Sequence, residues 1–151
     1  MLGEINIVWF KRDLRIADHV PIYKASKESI PFIPLYVLDQ NYWSQNFSSI
    51  RHWNFVYDCL EELNIELSNI GQPLIIKKGS AVNIFKDIQS NFKINKVYAH
   101  EETSNDWVRK ENLLVKNWFE KNLIEFIEYP TNGVVRGLKS RDEWIKIKNQ
   151  R

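Results

Sequence analysis

Five short apolar runs alternate with stretches of helical hydrophobic spacing along this chain. The runs lie at residues 4–10, 31–38, 73–78, 96–99 and 124–129 and predict strands. The first, Ile5-Asn6-Ile7-Val8-Trp9-Phe10, is nearly continuous, as suits a parallel strand covered on both faces. Between the runs, helices are predicted over 20–26, 51–70, 81–92 and 105–121, with Asp18 and Ser80 as N-cap candidates. In the second helix the spacing turns Phe55, Val56, Cys59, Leu60, Leu63 and Leu67 toward the sheet. In the fourth it turns Leu113, Leu114 and Trp118 inward, with Trp107 as a further candidate.

Strict alternation of strand and helix implies right-handed crossovers and an α/β fold. The expected form is a doubly wound five-stranded parallel sheet of order 3-2-1-4-5 with helices on both faces. Ile7, Trp9, Leu35, Val37, Ile75 and Val97 should be buried. The strand order reverses between the first and fourth strands. The crevice expected there is lined by residues 10–15 and 99–103, at the carboxyl ends where such sheets bind ligands. The connection 39–50 is long for its type and holds Tyr42, Trp43 and Phe47, a pattern associated with functional loops.

The chain's 151 residues suffice for one domain with a real core. An apolar fraction of 44% and a charged fraction of 26% are those of a soluble globular protein. Net charge is +2, too little to imply nucleic-acid binding. Its distribution is uneven: residues 131–151 hold six Lys/Arg against two Asp/Glu. We expect a domain over 1–130, a turn at 130–133, and a basic linker over 131–151 with Val134, Val135, Leu138, Trp144 and Ile145 needing a partner. Cys59 is the only cysteine, which excludes a disulfide framework or a cysteine-based metal site within one chain. The start lacks a signal-peptide pattern and no apolar run approaches the roughly 20 residues of a membrane span, so a cytoplasmic, membrane-free protein is expected.

The five glycines form neither G-x-G-x-x-G nor a P-loop, which argues against a nucleotide-binding enzyme of the usual kind. No serine sits in a nucleophile elbow, and His19, His52 and His100 have no ligand spacing, so no metal is expected. Instead, the first strand runs directly into Lys11-Arg12-Asp13-Leu14-Arg15. Arg12 there can pair with a ligand oxygen or with Asp13 or Asp39. Asp39 can serve the crevice or cap the next element, and Arg51 is a crevice cation or a first-turn surface residue. Glu101 and Glu102 can accept from a ring or simply be solvated.

The stretch from Trp9 to Arg15 resembles the N-terminal signature of the DNA photolyase/cryptochrome family, an aromatic residue before Arg-Arg-Asp-Leu-Arg, with Lys11 in place of the first arginine. Tyr36-Val37-Leu38-Asp39 resembles the family's aspartate-ended second strand. Gly71-Gln72-Pro73-Leu74, Lys78-Gly79 and Val97-Tyr98-Ala99-His100-Glu101-Glu102 follow in family order. The resemblance implies a Rossmann-like domain that binds a light-harvesting antenna, with Phe10, Arg12, Asp39, Arg51, Glu102 and Arg109 as the cofactor-binding candidates and no catalytic residue. A flavin or deazaflavin is favoured over folate, because residues 99–102 depart from the folate-type pattern. It further implies that catalytic FAD and damaged DNA belong to a helical domain outside this sequence. The expected partners are therefore that FAD-binding domain on another chain, DNA only indirectly, and a second copy through 131–151. By this reading the chain does not repair DNA alone. The alternative is a non-catalytic protein-interaction domain that has lost its chromophore.

Overall fold

A computed structural model describes residues 2–131, 133–138 and 140–148. The chain runs β1 (Glu4–Phe10), α1 (Val20–Ala25), β2 (Phe32–Leu38), α2 (Gln40–Trp43), α3 (Ile50–Asn69), β3 (Ile75–Lys78), α4 (Ala81–Asn91), β4 (Lys93–His100), α5 (Asp106–Lys121), β5 (Glu125–Tyr129) and α6 (Arg141–Lys148). The five strands form one sheet in the order β3-β2-β1-β4-β5, every pairing parallel, as the alternation requires. The order reverses between β1 and β4.

Successive residues of β1 point to opposite faces, and each face has its own core. Ile5, Ile7 and Trp9 pack with Leu35, Val97 and Ala99 beneath α4 and α5, where Phe85 and Phe119 meet edge to face at 4.7 Å. Val8 and Phe10 pack with Tyr36 and Tyr98 beneath α1 and α3, which contributes Leu60, Leu63 and Leu67. Ile7, Trp9, Leu35 and Val97 are buried as expected, whereas Val37 and Ile75 are only half-buried.

Several local expectations are corrected. Phe55 is exposed; the inward stripe of α3 is narrower and lies over Leu60, Leu63 and Leu67. Leu113 and Leu114 are also exposed, because α5 turns Val108, Val115 and Phe119 to the sheet instead. His19, not Asp18, caps α1: its ring accepts from the Ile22 N–H at 3.2 Å. β4 starts at Lys93, earlier than its apolar centre suggests, because Lys93 and Ile94 pair with Glu4 and Ile5 across a register shift. The loop after β2 folds into the short α2, whose N-cap is Asp39. The segment after β5 contains α6, where Val134 and Ile145 are exposed and Trp144 donates to the Gly133 carbonyl at 2.7 Å. Asn132, within the expected turn, lies outside the described residues.

Leu123 closes α5 in a left-handed conformation, φ 56°, while Ile124 N–H bonds back to the Phe119 carbonyl at 3.0 Å. Its side chain is 93% exposed, so the strain brings no packing in return. Leu123→Gly should therefore stabilise the domain by about 0.5–1 kcal/mol, raising the midpoint of thermal unfolding. An unchanged or lower midpoint would refute the assignment of strain there.

Candidate functional site

Beyond the carboxyl ends of the strands, at the reversal of strand order, lies a cavity of about 400 Å³. Its floor is the end of β1 with Trp9, Phe10 and Lys11; its walls come from α2, α3 and the start of α5. Of the six residues expected there, Phe10, Arg12, Asp39 and Glu102 line it. Arg51 and Arg109 do not: both are exposed, and Arg109 is turned to Asp106 one helical turn back, 3.6 Å away.

Arg12 and Glu102, ninety positions apart, are bonded to one another. The Arg12 Nε donates to the Glu102 carboxylate at 2.9 Å, and its Nη2 donates to Ser104 Oγ at 2.9 Å and to the Tyr42 hydroxyl at 3.1 Å. The arginine therefore pairs with Glu102 rather than with Asp13 or Asp39. Asp39 fulfils both of its readings, lining the cleft while its carboxylate accepts from the Asn41 N–H at 2.8 Å. Glu111 faces the same space. Burial, and then the charge of Asp39, raise its carboxyl above the ordinary value. Tyr36 remains a neutral phenol, pushed up to about 12 by burial.

One wall is aromatic. Tyr42 meets Trp43 at 5.1 Å, Phe47 at 5.3 Å and Trp107 at 5.7 Å, and Trp43 meets Trp53 at 5.0 Å. The unusual length of the loop after β2 is the sequence signal for Tyr42 and Trp43. Nothing in the sequence marks His52, Cys59 or Asn112, which also line the cleft. Lys11 is the least expected member. Its ammonium sits 4.5 Å over the Trp9 ring, 3.6 Å from Glu128 and 3.4 Å from the side-chain amide oxygen, Oδ1, of Asn112. Burial lowers its pKa, an effect that Glu102 and Glu128 only partly offset.

Behind the cleft, Asp13 holds the turn after β1. One carboxylate oxygen, Oδ2, receives His19 Nε2 at 2.7 Å and His100 Nδ1 at 2.6 Å, while Oδ1 receives the Lys11 N–H at 3.0 Å. Although burial opposes it, these bonds hold the Asp13 carboxyl far below the usual carboxylate range. Two histidines with no ligand spacing in the sequence thus converge on one acid. The three side chains have the composition of a metal-ligand set. The Ile22 N–H can only donate, however, so His19 Nδ1 is an acceptor and Nε2 carries the proton given to Asp13. A metal on Nε2 would require that proton to move and the cap of α1 to break. The arrangement is a proton-sharing lock.

A doubly wound parallel sheet with an aromatic and charged cleft at its reversal point defines an α/β domain of the kind that takes ligands outside its strand ends. The chain belongs to the DNA photolyase family, whose model matches residues 6–138. It is 29% identical to the chloroplastic/mitochondrial cryptochrome DASH of Oryza sativa subsp. japonica over 96% of this chain and 25% of that protein. It is 31% identical to the Arabidopsis thaliana cryptochrome DASH over 73% of this chain and 20% of that one. The chain thus spans about a quarter of the length of these relatives. Among solved structures, the Synechocystis cryptochrome superposes with a TM-score of 0.77 at 24% identity, over 85% of this chain and 28% of its own. An archaeal photolyase from Sulfolobus tokodaii, described with two FAD molecules, gives 0.77 at 22% identity over 97% and 35%. At that identity the likeness is one of fold. No helix among the described residues is long and apolar enough to cross a membrane.

Proposed function

We propose that this domain binds a planar, hydrogen-bonding chromophore of the flavin or deazaflavin type in the cleft, and serves as the light-harvesting module of a photolyase or cryptochrome. The observation that carries the reading is the cleft itself, where an aromatic wall and a fixed Arg12–Glu102 pair stand side by side at the strand reversal. Tyr42, Trp43 and Trp107 offer faces to a flat ring. Arg12 offers N–H donors to ring carbonyls, and Asp39 and Glu111 offer acceptors to ring N–H groups. Support also comes from the Sulfolobus tokodaii photolyase, which holds two FAD molecules with the implication of a novel light-harvesting cofactor. Repair chemistry belongs, in this reading, to a FAD-bearing helical domain beyond these residues.

The test is titration with riboflavin, FMN and a reduced folate, followed by tryptophan fluorescence and by the reaction of Cys59 with a thiol reagent. Cys59 is the only thiol in the chain and lines the cleft. Riboflavin or FMN should bind one to one and shield Cys59, and the 151-residue chain alone should give no light-dependent repair of pyrimidine dimers. Binding of none of the three would favour an interaction domain, for which the exposed Leu113 and Leu114 on α5 offer a surface. Repair by this chain alone would overturn the division of labour.

A further inference from the structure

We propose that Arg136, which lies outside the cleft, is the positioning residue for its charged wall. The inference rests on the reading of the cleft as the ligand site, and concerns what holds that site in shape. Arg136 follows β5 and returns to the sheet. Its Nε and Nη2 donate to the Glu102 backbone carbonyl at 3.2 and 2.9 Å, while Nη1 and Nη2 hold the two oxygens of Glu128 at 3.0 Å each. One planar guanidinium therefore ties the end of β4 to β5, a two-sided recognition that a lysine ammonium cannot reproduce.

Each of its two partners leads into the cleft. Glu102, pinned through its carbonyl, presents its carboxylate to Arg12, which in turn bonds the Tyr42 hydroxyl of the aromatic wall. Glu128, pinned through its carboxylate, stands beside the Lys11 ammonium on the cleft floor. Burial works against the Glu128 charge, but Lys11 and Arg136 together hold it below its ordinary value. Asn112 closes the circuit, accepting from Lys11 and donating to Glu102, both at 3.4 Å. Without Arg136, the Glu102 main chain loses its side-chain anchor and Glu128 loses its best-oriented cation. The place from which Arg12 meets a ligand is then free to shift.

The experiment is a double-mutant cycle in the full chain, with Arg136→Gln and Arg12→Ala singly and together. It has two readouts: riboflavin affinity, and the reaction rate of Cys59 in the absence of any ligand. We expect Arg136→Gln to weaken riboflavin about five- to tenfold, the lower part of the range for coupled sites, and to speed the thiol reaction. In the Arg12→Ala background both effects should shrink severalfold, because the route through Glu102 ends on Arg12 and only the route through Glu128 to Lys11 is left. Lys116→Gln serves as control, since Lys116 also pairs with Glu128, at 3.3 Å, without touching Glu102 in any described bond. Full additivity in the cycle, or an equal effect from Lys116→Gln, would overturn the proposal. If riboflavin does not bind the unaltered chain, the reading of the site fails, and the thiol cycle alone still decides the role of Arg136.

Discussion

Replacing Asp13 with alanine should destabilise the domain by about 3–5 kcal/mol, since it orphans three donors at roughly 1–3 kcal/mol each. Those donors are His19 Nε2, His100 Nδ1 and the Lys11 N–H, and both rings are buried. Thermal or urea unfolding measures the loss, and a shift under 1 kcal/mol would mean that the lock does not hold the turn. The same group sets an acid limit. Its carboxyl titrates far lower in the fold than in the unfolded chain, so its stabilisation is complete above the ordinary aspartate value near 4 and is lost as pH falls below it. The unaltered protein should therefore lose stability below about pH 4 more steeply than Asp13→Asn does.

Arg12→Ala should weaken riboflavin binding by about 1.5–3 kcal/mol, a factor between ten and a hundred or somewhat more. The loss has two sources. The N–H donors offered to the ring disappear, and Glu102 is left facing the cleft without its closest cation, which lies at 2.9 Å. Arg12→Lys should fall between, because it restores charge without the fork. Stability should change little, since the Arg12 side chain is half exposed at 52%. Affinity unchanged by Arg12→Ala would remove the residue from the site.

The strands and their order were legible because β1 is a nearly continuous apolar run, as a covered parallel strand must be, and because strand and helix alternate strictly. Helix faces were less so. α5 carries two apolar stripes at equal helical spacing, one through Leu113 and Leu114 and one through Val108, Val115 and Phe119. What chooses between them is the ring of Phe85 on α4, waiting against Phe119, and periodicity holds no record of that. In the cleft, topology alone brings Phe10, Arg12, Asp39 and Glu102 together, since all four adjoin strand ends. Arg51 and Arg109 lie outside its lining, because a position near a helix start says nothing about which way the helix turns its side chains. The pairing of Arg12 with Glu102 and the meeting of His19 with His100 depend on contacts across β1 and β4, beyond any local pattern.

The aromatic wall also gives the domain an optical identity. Trp43 and Trp53 lie 5.0 Å apart with their planes at 77°, and Tyr42 bridges Trp43 to Trp107. Indoles that close and that steeply crossed share their excited states, so their near-ultraviolet circular dichroism should be a paired, oppositely signed band instead of a sum of isolated chromophores. A flat ring entering beside them would join that coupled array and invert or split the band, reporting its own orientation without any label.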